Sequence, residues 1–314
     1  MSRLFRGAPA AAIITTLTLT SMVLVGCGTS DSSSKSGGGL RIGLAVSTLN
    51  NPFFVQLKQG AQDAAKAAGV TLTVTDAQND ASQQANQVQN FTTQTMDAII
   101  LNPVDSDAAK AVVKAVGSTP VVAVDRGVTG ADVSSFVASD NVQGGRDAAT
   151  ELAKQLGEKG KIVILQGIAG TSASRDRGQG FEAGIATYPN ISVVAKQPAD
   201  FDRTKGLDVM TNLLQAHPDI TGVFAENDEM ALGAIKALGS KAGTGVKVVG
   251  FDGSPDGLAA VKDGTMSATV AQLAKDLGKS AVEAAVKAAK KQTVEKTIKV
   301  PTKVVTKDNV AEMS

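Results

Sequence analysis

From Leu40 onward, short runs of Val, Ile, Leu and Ala alternate with longer stretches in which apolar residues recur every three to four positions. Runs of the first kind suit strands of a parallel sheet covered on both faces, and stretches of the second kind suit amphipathic helices. The pattern predicts strands at 40–46, 71–75, 98–101, 120–124, 134–138, 161–166, 191–196, 221–224, 246–250 and 267–271, with helices between most of them. The first helix has the clearest ends. Asn51 can accept backbone N–H bonds as its N-cap, Pro52 occupies the first helical position, where a missing donor costs nothing, and Gly69 stops it. Phe54, Leu57, Ala61, Ala64, Ala65 and Ala68 form its apolar stripe.

The rhythm breaks at three places. Between Val133 and Asn141 one strand follows another with no room for a helix. A second crossing is expected near Ala271 to Ala274, before the helix Lys275 to Lys290. A third is expected near Val300-Pro301, where a short final strand follows that helix. The expected fold is therefore α/β: two doubly wound, Rossmann-like lobes joined by a multi-strand hinge. The N-terminal lobe takes 40–140 and 274–300, and the C-terminal lobe takes 141–273 and 301–314.

Length agrees with this, since 314 residues suit two domains, each with its own core. The net charge of +1, with signs interspersed, gives no basic face, so a nucleic-acid partner is not expected. With no Trp, one Tyr and nine Phe, each aromatic is conspicuous. Before Leu40 the pattern changes. Arg3 and Arg6 precede an apolar stretch from Ala10 to Val25, and Leu24-Val25-Gly26-Cys27 places a small residue before the single cysteine. This resembles a bacterial lipoprotein signal, which implies removal of 1–27 up to the cysteine, lipidation of Cys27 and a flexible Ser/Gly tether at 28–39. A permanent membrane span fits poorly, because the apolar stretch is short and rich in Thr.

In open parallel sheets, ligands bind beyond the carboxyl ends of the strands. The residues offered there include Ser47, Asn50, Asn51, Phe53 and Phe54 after the first strand, then Asn102, Asp125-Arg126, Asn227-Asp228, Phe251-Asp252 and Gln272. Arg175 and Arg177 open the helix after Lys161 to Gln166. Carboxylates and amide oxygens accept from hydroxyls, guanidinium and amide nitrogens donate to them, and a Phe face covers the C–H side of a sugar ring. Taken singly, Asp125-Arg126 also reads as a surface pair, Asp252-Gly253 as a turn, Asn51 as a helix cap and Phe201 as core. Their joint occurrence at one edge of both lobes points to a small polyol.

Several strings then carry a family resemblance. Leu44 to Phe54, Asn102-Pro-Val-Asp-Ser-Asp107, Val124-Asp-Arg126, Leu165-Gln-Gly-Ile-Ala-Gly-Thr-Ser172, Asn227-Asp-Glu-Met-Ala-Leu-Gly233 and Val249-Gly-Phe-Asp-Gly253 closely resemble the periplasmic ribose-binding proteins of bacterial ABC importers. The likeness runs almost continuously from Leu40 to about Lys307 and weakens after Val300. It implies D-ribose, or another pentose or hexose, as ligand, and an ABC permease as partner. A monomer without cofactor or metal is expected, and the lipoprotein-like signal, a departure from that family's pattern, implies a lipid anchor outside the cytoplasmic membrane. By the same resemblance, sugar contacts fall on Ser47, Asn51, Phe53, Phe54, Asp125, Arg126, Arg177, Phe201, Asn227, Phe251, Asp252 and Gln272.

Other classes fit the residues less well. The single histidine, His217, precedes Pro218 at an expected helix end, which suits a capping residue better than a Ser-His-Asp triad. Gly178-Gln-Gly180-Phe-Glu-Ala183 spells a dinucleotide fingerprint, but inside a helix and not at a strand-to-helix turn. Asp125 and Asp252 could pair as acid and base on a glycoside, yet Arg126 is expected to hold Asp125 ionised. A sugar-responsive repressor on this core would need an N-terminal helix-turn-helix where the export signal stands.

Overall fold

The computed structural model describes residues 39–313; the expected export signal, Cys27 and nearly all of the expected tether lie outside the described residues. The chain runs β1 (Arg41–Val46), α1 (Pro52–Ala68), β2 (Thr71–Asp76), α2 (Ala81–Thr93), β3 (Ala98–Leu101), α3 (Ala109–Ala115), β4 (Val121–Val124) and β5 (Ser135–Ser139). It continues through α4 (Asn141–Gln155), β6 (Gly160–Gln166), α5 (Ser172–Ile185), β7 (Ile191–Pro198), α6 (Arg203–Ala216), β8 (Gly222–Ala225) and α7 (Asp228–Leu238). The last elements are β9 (Lys247–Asp252), α8 (Pro255–Asp263), β10 (Ala268–Gln272), α9 (Ala274–Ala289), β11 (Thr297–Val300) and β12 (Thr302–Thr306).

These strands form two sheets with the same winding. The first is ordered β11-β5-β4-β3-β1-β2 and is parallel throughout. The second is ordered β12-β10-β9-β8-β6-β7 and is parallel except for its last strand, β12, which runs against β10. In each sheet the order reverses beside the first strand, β1 or β6, which opens the crevice where loops from neighbouring strands diverge. Each sheet carries apolar clusters on both faces, as parallel strands require. Around the first sheet, Ile42, Leu44, Leu57 and Leu277 pack on one side and Val88, Phe91, Ile99 and Leu101 on the other. Leu152, Phe181 and Phe224, opposite Leu165, Met210 and Val248, do the same for the second.

Helix starts follow local chemistry. Asn51 Oδ1 accepts from the Phe53 N–H at 2.9 Å, and Gly69 ends α1 in the left-handed region at φ 66°. Asp80, Asp202 and Ser254 cap α2, α6 and α8 in the same way, and His217 is the C-cap of α6. Ala68, expected on the buried stripe, is exposed. The packing of α1 on α9 is closest a turn or two earlier, where a Cβ at Gly60 or Gly278 would run into the facing backbone.

The chain passes from one sheet to the other between β5 and α4, between β10 and α9, and between β11 and β12. The single final strand expected near residue 300 is two. Pro301 has no N–H to donate, so the ladder breaks there; β11 adds to β5 in the first sheet and β12 to β10 in the second. Among the described residues, no helix is long and apolar enough to cross a membrane.

Candidate functional site

The first sheet supplies one wall from the ends of β1, β3 and β4. At the end of β1, the Ser47 N–H and hydroxyl both donate to Asn102 Oδ1, at 3.0 and 2.7 Å. Asn102 Nδ2 in turn donates to the Val124 carbonyl at 3.1 Å and to Asp125 Oδ2 at 3.4 Å. A buried amide thus braces the strand end that carries Asp125. Asp125 itself sits at φ 64°, a left-handed conformation that costs a non-glycine residue about 1–3 kcal/mol and persists at sites where a side chain must be aimed. Arg126 donates from Nη1 to the Pro103 carbonyl at 3.1 Å. Its guanidinium lies 5.3 Å from the Phe54 ring centroid and 5.5 Å from that of Phe201. Phe53 and Phe54 meet edge to face with centroids 5.1 Å apart.

The second sheet supplies the opposing wall. Arg177, on α5, donates to Asn141 Oδ1 at 2.8 Å and to the Glu226 carbonyl at 2.7 Å, and approaches Asp252 Oδ1 at 3.5 Å. Its guanidinium lies over the Phe251 ring at 4.0 Å. Asp252 is at φ 123° and Phe201 at φ 58°, so the strained backbone recurs on this side. Asn227 caps α7 through its side-chain oxygen and donates from Nδ2 to the Phe201 carbonyl at 3.3 Å.

Between the walls lies a narrow cavity with about 10 Å³ open to the centre of a water molecule, far below the roughly 300–1,000 Å³ of pockets that hold drug-sized ligands. Asn51, Phe53, Phe54, Asp125 and Arg126 line it from one side, and Ala173, Arg177, Phe201, Asn227 and Asp252 from the other. Nine of the twelve expected contact residues therefore converge. The other three stand behind the wall. Ser47 is spent on Asn102, Phe251 lies under Arg177, and Gln272 donates from Nε2 to Asp252 Oδ1 at 2.8 Å. Gln272 also borders a larger, mostly apolar groove beside Leu258 and Leu273 that has no buried charge. Arg175, offered at the same helix start, is exposed and pairs with Asp176. Sequence reasoning missed Ala173, which has no chemical signal, and Asn141 and Glu226, which act through Arg177.

Direct hydrogen bonds also join the two sides outside the cavity. Ser106 N–H donates to the Gly170 carbonyl at 3.1 Å, Ser172 N–H to Ser106 Oγ at 3.0 Å, and Gly127 N–H to Ser172 Oγ at 2.8 Å.

Two carboxylates and two guanidinium groups cancel in charge, which suits a neutral ligand. Burial pushes the Asp125 carboxyl up, against the attraction of Arg126 and Arg177, and raises Asp252 above its ordinary value against the attraction of Arg177. Burial also lowers Arg126 to about 10. Arg126, 3.8 Å from Asp125, favours the ionised carboxyl as expected, but the loss of water is the larger effect and the net direction is upward. Asp125 Oδ1, Arg126 Nε and Gln272 Oε1 are buried without a partner among the described residues. An acceptor and a donor left open at the cavity wall call for a ligand that carries hydroxyl groups. The described residues hold no cluster of His, Cys, Asp and Glu suited to a metal ion.

Comparison with known proteins shows which family the chain belongs to. A family model described as periplasmic binding protein domain matches residues 42–293. The ribose import binding protein of Salmonella typhimurium (strain LT2) is 53% identical over 74% of this chain and 79% of its own length. That of Bacillus subtilis (strain 168) is 52% identical over 74% and 75%. The crystal structure of an ABC transporter solute-binding protein from Bacillus halodurans C-125, with bound myo-inositol, superposes with a TM-score of 0.84 at 36% identity, covering 89% of this chain and 99% of the other. Two alike α/β sheets, strand-end loops facing each other across a small polar cavity, and these relatives lead to one conclusion: this chain belongs to the periplasmic binding protein family.

Proposed function

We propose that this chain captures D-ribose between its two lobes outside the cytoplasm and delivers it to an ABC permease, without chemical turnover. The observation that carries the reading is the pair of Asp–Arg couples, Asp125 with Arg126 and Asp252 with Arg177, facing one small cavity under the Phe54 and Phe201 rings. The carboxylates accept from sugar hydroxyls, the guanidinium groups and the Asn51 and Asn227 amides donate, and Phe53, Phe54 and Phe201 cover the ring faces. Ser47, Phe251 and Gln272 support these groups from behind.

The lobes of the proposal are 40–140 with 274–300 and 141–273 with 301–314. Because contacts to one ligand come from both, the closed arrangement gains more from the sugar than an open one does. The Cys27 motif supports a lipid anchor on the outer face of the membrane, for which two acyl chains suffice and one is marginal. The bound myo-inositol of the solved relative favours a second reading, a receptor for another pentose, hexose or similar ring polyol.

Calorimetry of the mature protein against ribose, arabinose, allose and myo-inositol tests both. Tight binding of ribose alone is expected. Tight binding of another member with none of ribose replaces the first reading by the second, and no binding of any member overturns both.

A further inference from the structure

Glu226 is wholly buried at the end of β8 and does not line the cavity. Its Oε2 accepts from the Gly167 N–H at 2.7 Å and from the Ser174 hydroxyl, while its own carbonyl accepts from Arg177 Nη1 at 2.7 Å. One side chain therefore ties three segments together: the loop after β6, the first turn of α5 and the strand end before Asn227. Two of these bear directly on the cavity. Gly167 lies flat against Phe201, since a Cβ there would run into the ring, so the loop position sets where that ring can stand. Ser174 lies one helical turn before Arg177, and the Glu226 carbonyl holds the guanidinium itself.

We propose that Glu226 is a positioning residue of the sugar site, acting through Phe201 and Arg177 and setting ligand affinity without touching the ligand. This rests on the sugar-binding reading above. Both donors converge on Oε2, whereas Oε1 is buried without a partner among the described residues. The task therefore needs one oxygen acceptor at that point and no charge. Glutamine can supply that oxygen with its amide nitrogen in the place of Oε1, and alanine or leucine cannot. Removing the acceptor strands two buried donors, which then relax by moving the loop or the helix turn.

The test measures sugar affinity by calorimetry, and thermal unfolding by circular dichroism, on the wild type, Glu226→Gln, Glu226→Leu and Ser174→Ala. Glu226→Leu is expected to weaken binding at least about tenfold, the scale of one lost buried acceptor, at a temperature where the sugar-free variant is fully folded. Glu226→Gln should bind within about threefold of wild type, and Ser174→Ala should fall between, since it removes one donor of the two. A purely structural role would lower the unfolding temperature of Glu226→Leu and leave its affinity alone, and that result overturns the inference. So does a Glu226→Gln variant as weak as Glu226→Leu, because the acceptor argument then fails. If Glu226→Leu does not fold, Glu226→Gln and Ser174→Ala decide: both within error of wild type in affinity rejects the proposal, and a graded loss in Ser174→Ala alone supports it. A wild-type protein that binds no sugar of the panel brings down the functional reading and this inference with it.

Discussion

The two Asp–Arg couples that face the cavity are built differently. Asp125 and Arg126 are chain neighbours at the end of β4, and Arg126 has one short bond to fixed structure, at Pro103. Arg177 and Asp252 are 75 residues apart, and Arg177 is fixed by Asn141 and the Glu226 carbonyl before it reaches Asp252. Asp252 is further held by Gln272. Orphaned buried atoms mark the first couple, at Asp125 Oδ1 and Arg126 Nε, and neither residue of the second couple has one. The second wall is thus organised by the protein, whereas the first keeps bonding capacity for the ligand proposed above. Pre-organisation on one side lowers the ordering cost of binding, and open valences on the other reserve the strongest new bonds for the ligand.

The largest effect that can break this comparison is on stability. Arg177→Met strips partners from Asn141, from the Glu226 carbonyl and from a buried Asp252, and breaking a buried ion pair costs about 3–5 kcal/mol. Arg126→Met removes one short bond to Pro103, a 3.5 Å contact with the Val104 carbonyl and the 3.8 Å approach to Asp125, and should destabilise by less, about 1.5–3 kcal/mol. Both should abolish tight sugar binding. Equal losses of unfolding free energy in urea titrations of the sugar-free variants would show that the two walls are not differently anchored.

Asp125→Ala comes next, and it acts on affinity. A hydrogen bond to a charged group contributes about 1.5–3 kcal/mol, so the loss is expected to be roughly ten- to a hundredfold or more. The unfolding temperature should move little, because Asp125 makes only a long bond to Asn102 and a 3.8 Å approach to Arg126. Asp132→Ala, in the exposed turn before β5, is the control and should bind as wild type. Unchanged ribose affinity in Asp125→Ala would remove this carboxylate from the site.

The asymmetry bears on what the sequence could reveal. Strand ends and helix caps were legible because apolar periodicity and residues such as Asn51, Pro52 and Gly69 act locally. The Asp125-Arg126 couple was legible for the same reason, being a dipeptide at a strand end. Asn141 and Glu226 were not, since their partner Arg177 lies 36 and 49 residues away. Ser47, Phe251 and Gln272 were placed at the right edge, but position on an edge does not say whether a side chain faces the cavity or braces one that does. The positive φ of Asp125, Phe201 and Asp252, which aims them, has no signature in the residue types. The split of the last strand at Pro301 rests on which sheet each half joins, a matter of tertiary pairing.

Acidification should move stability and affinity in opposite directions. Glu226 is raised from 4.5 to about 7 and Asp228, held by Ser254 and Thr269, from 3.8 to about 6, both by burial. An acid raised in the folded state contributes stability that is fully present below its unfolded value and lost as pH rises through the folded one. The sugar-free protein should therefore unfold at a higher temperature at pH 5 than at pH 8. In the proposed site sugar hydroxyls donate to ionised Asp125 and Asp252, whose carboxyls burial also raises, so affinity should fall as the pH is lowered. Affinity rising on acidification would mean that the carboxyls act as donors to the ligand.

The smallest expected effect tests whether the two walls are joined by the protein as well as by the sugar. Ser172 Oγ accepts from the Gly127 N–H at 2.8 Å, and this bond crosses between the sheets outside the cavity. Such a bond stabilises the closed arrangement whether or not ligand is present, and a neutral one contributes about 0.5–1.5 kcal/mol. If closure is an equilibrium, Ser172→Ala shifts it toward open by that amount, and apparent affinity falls by roughly two- to tenfold without loss of any sugar contact. The shift should appear in the dissociation rate, because the lost bond forms only after the walls meet. Small-angle scattering of the sugar-free variant should give a larger radius of gyration than wild type, and saturation with sugar should make the two converge. Identical dissociation rates and identical scattering would mean that the sugar alone holds the walls together, and that the bonds at Ser106, Gly127 and Ser172 follow closure and do not favour it.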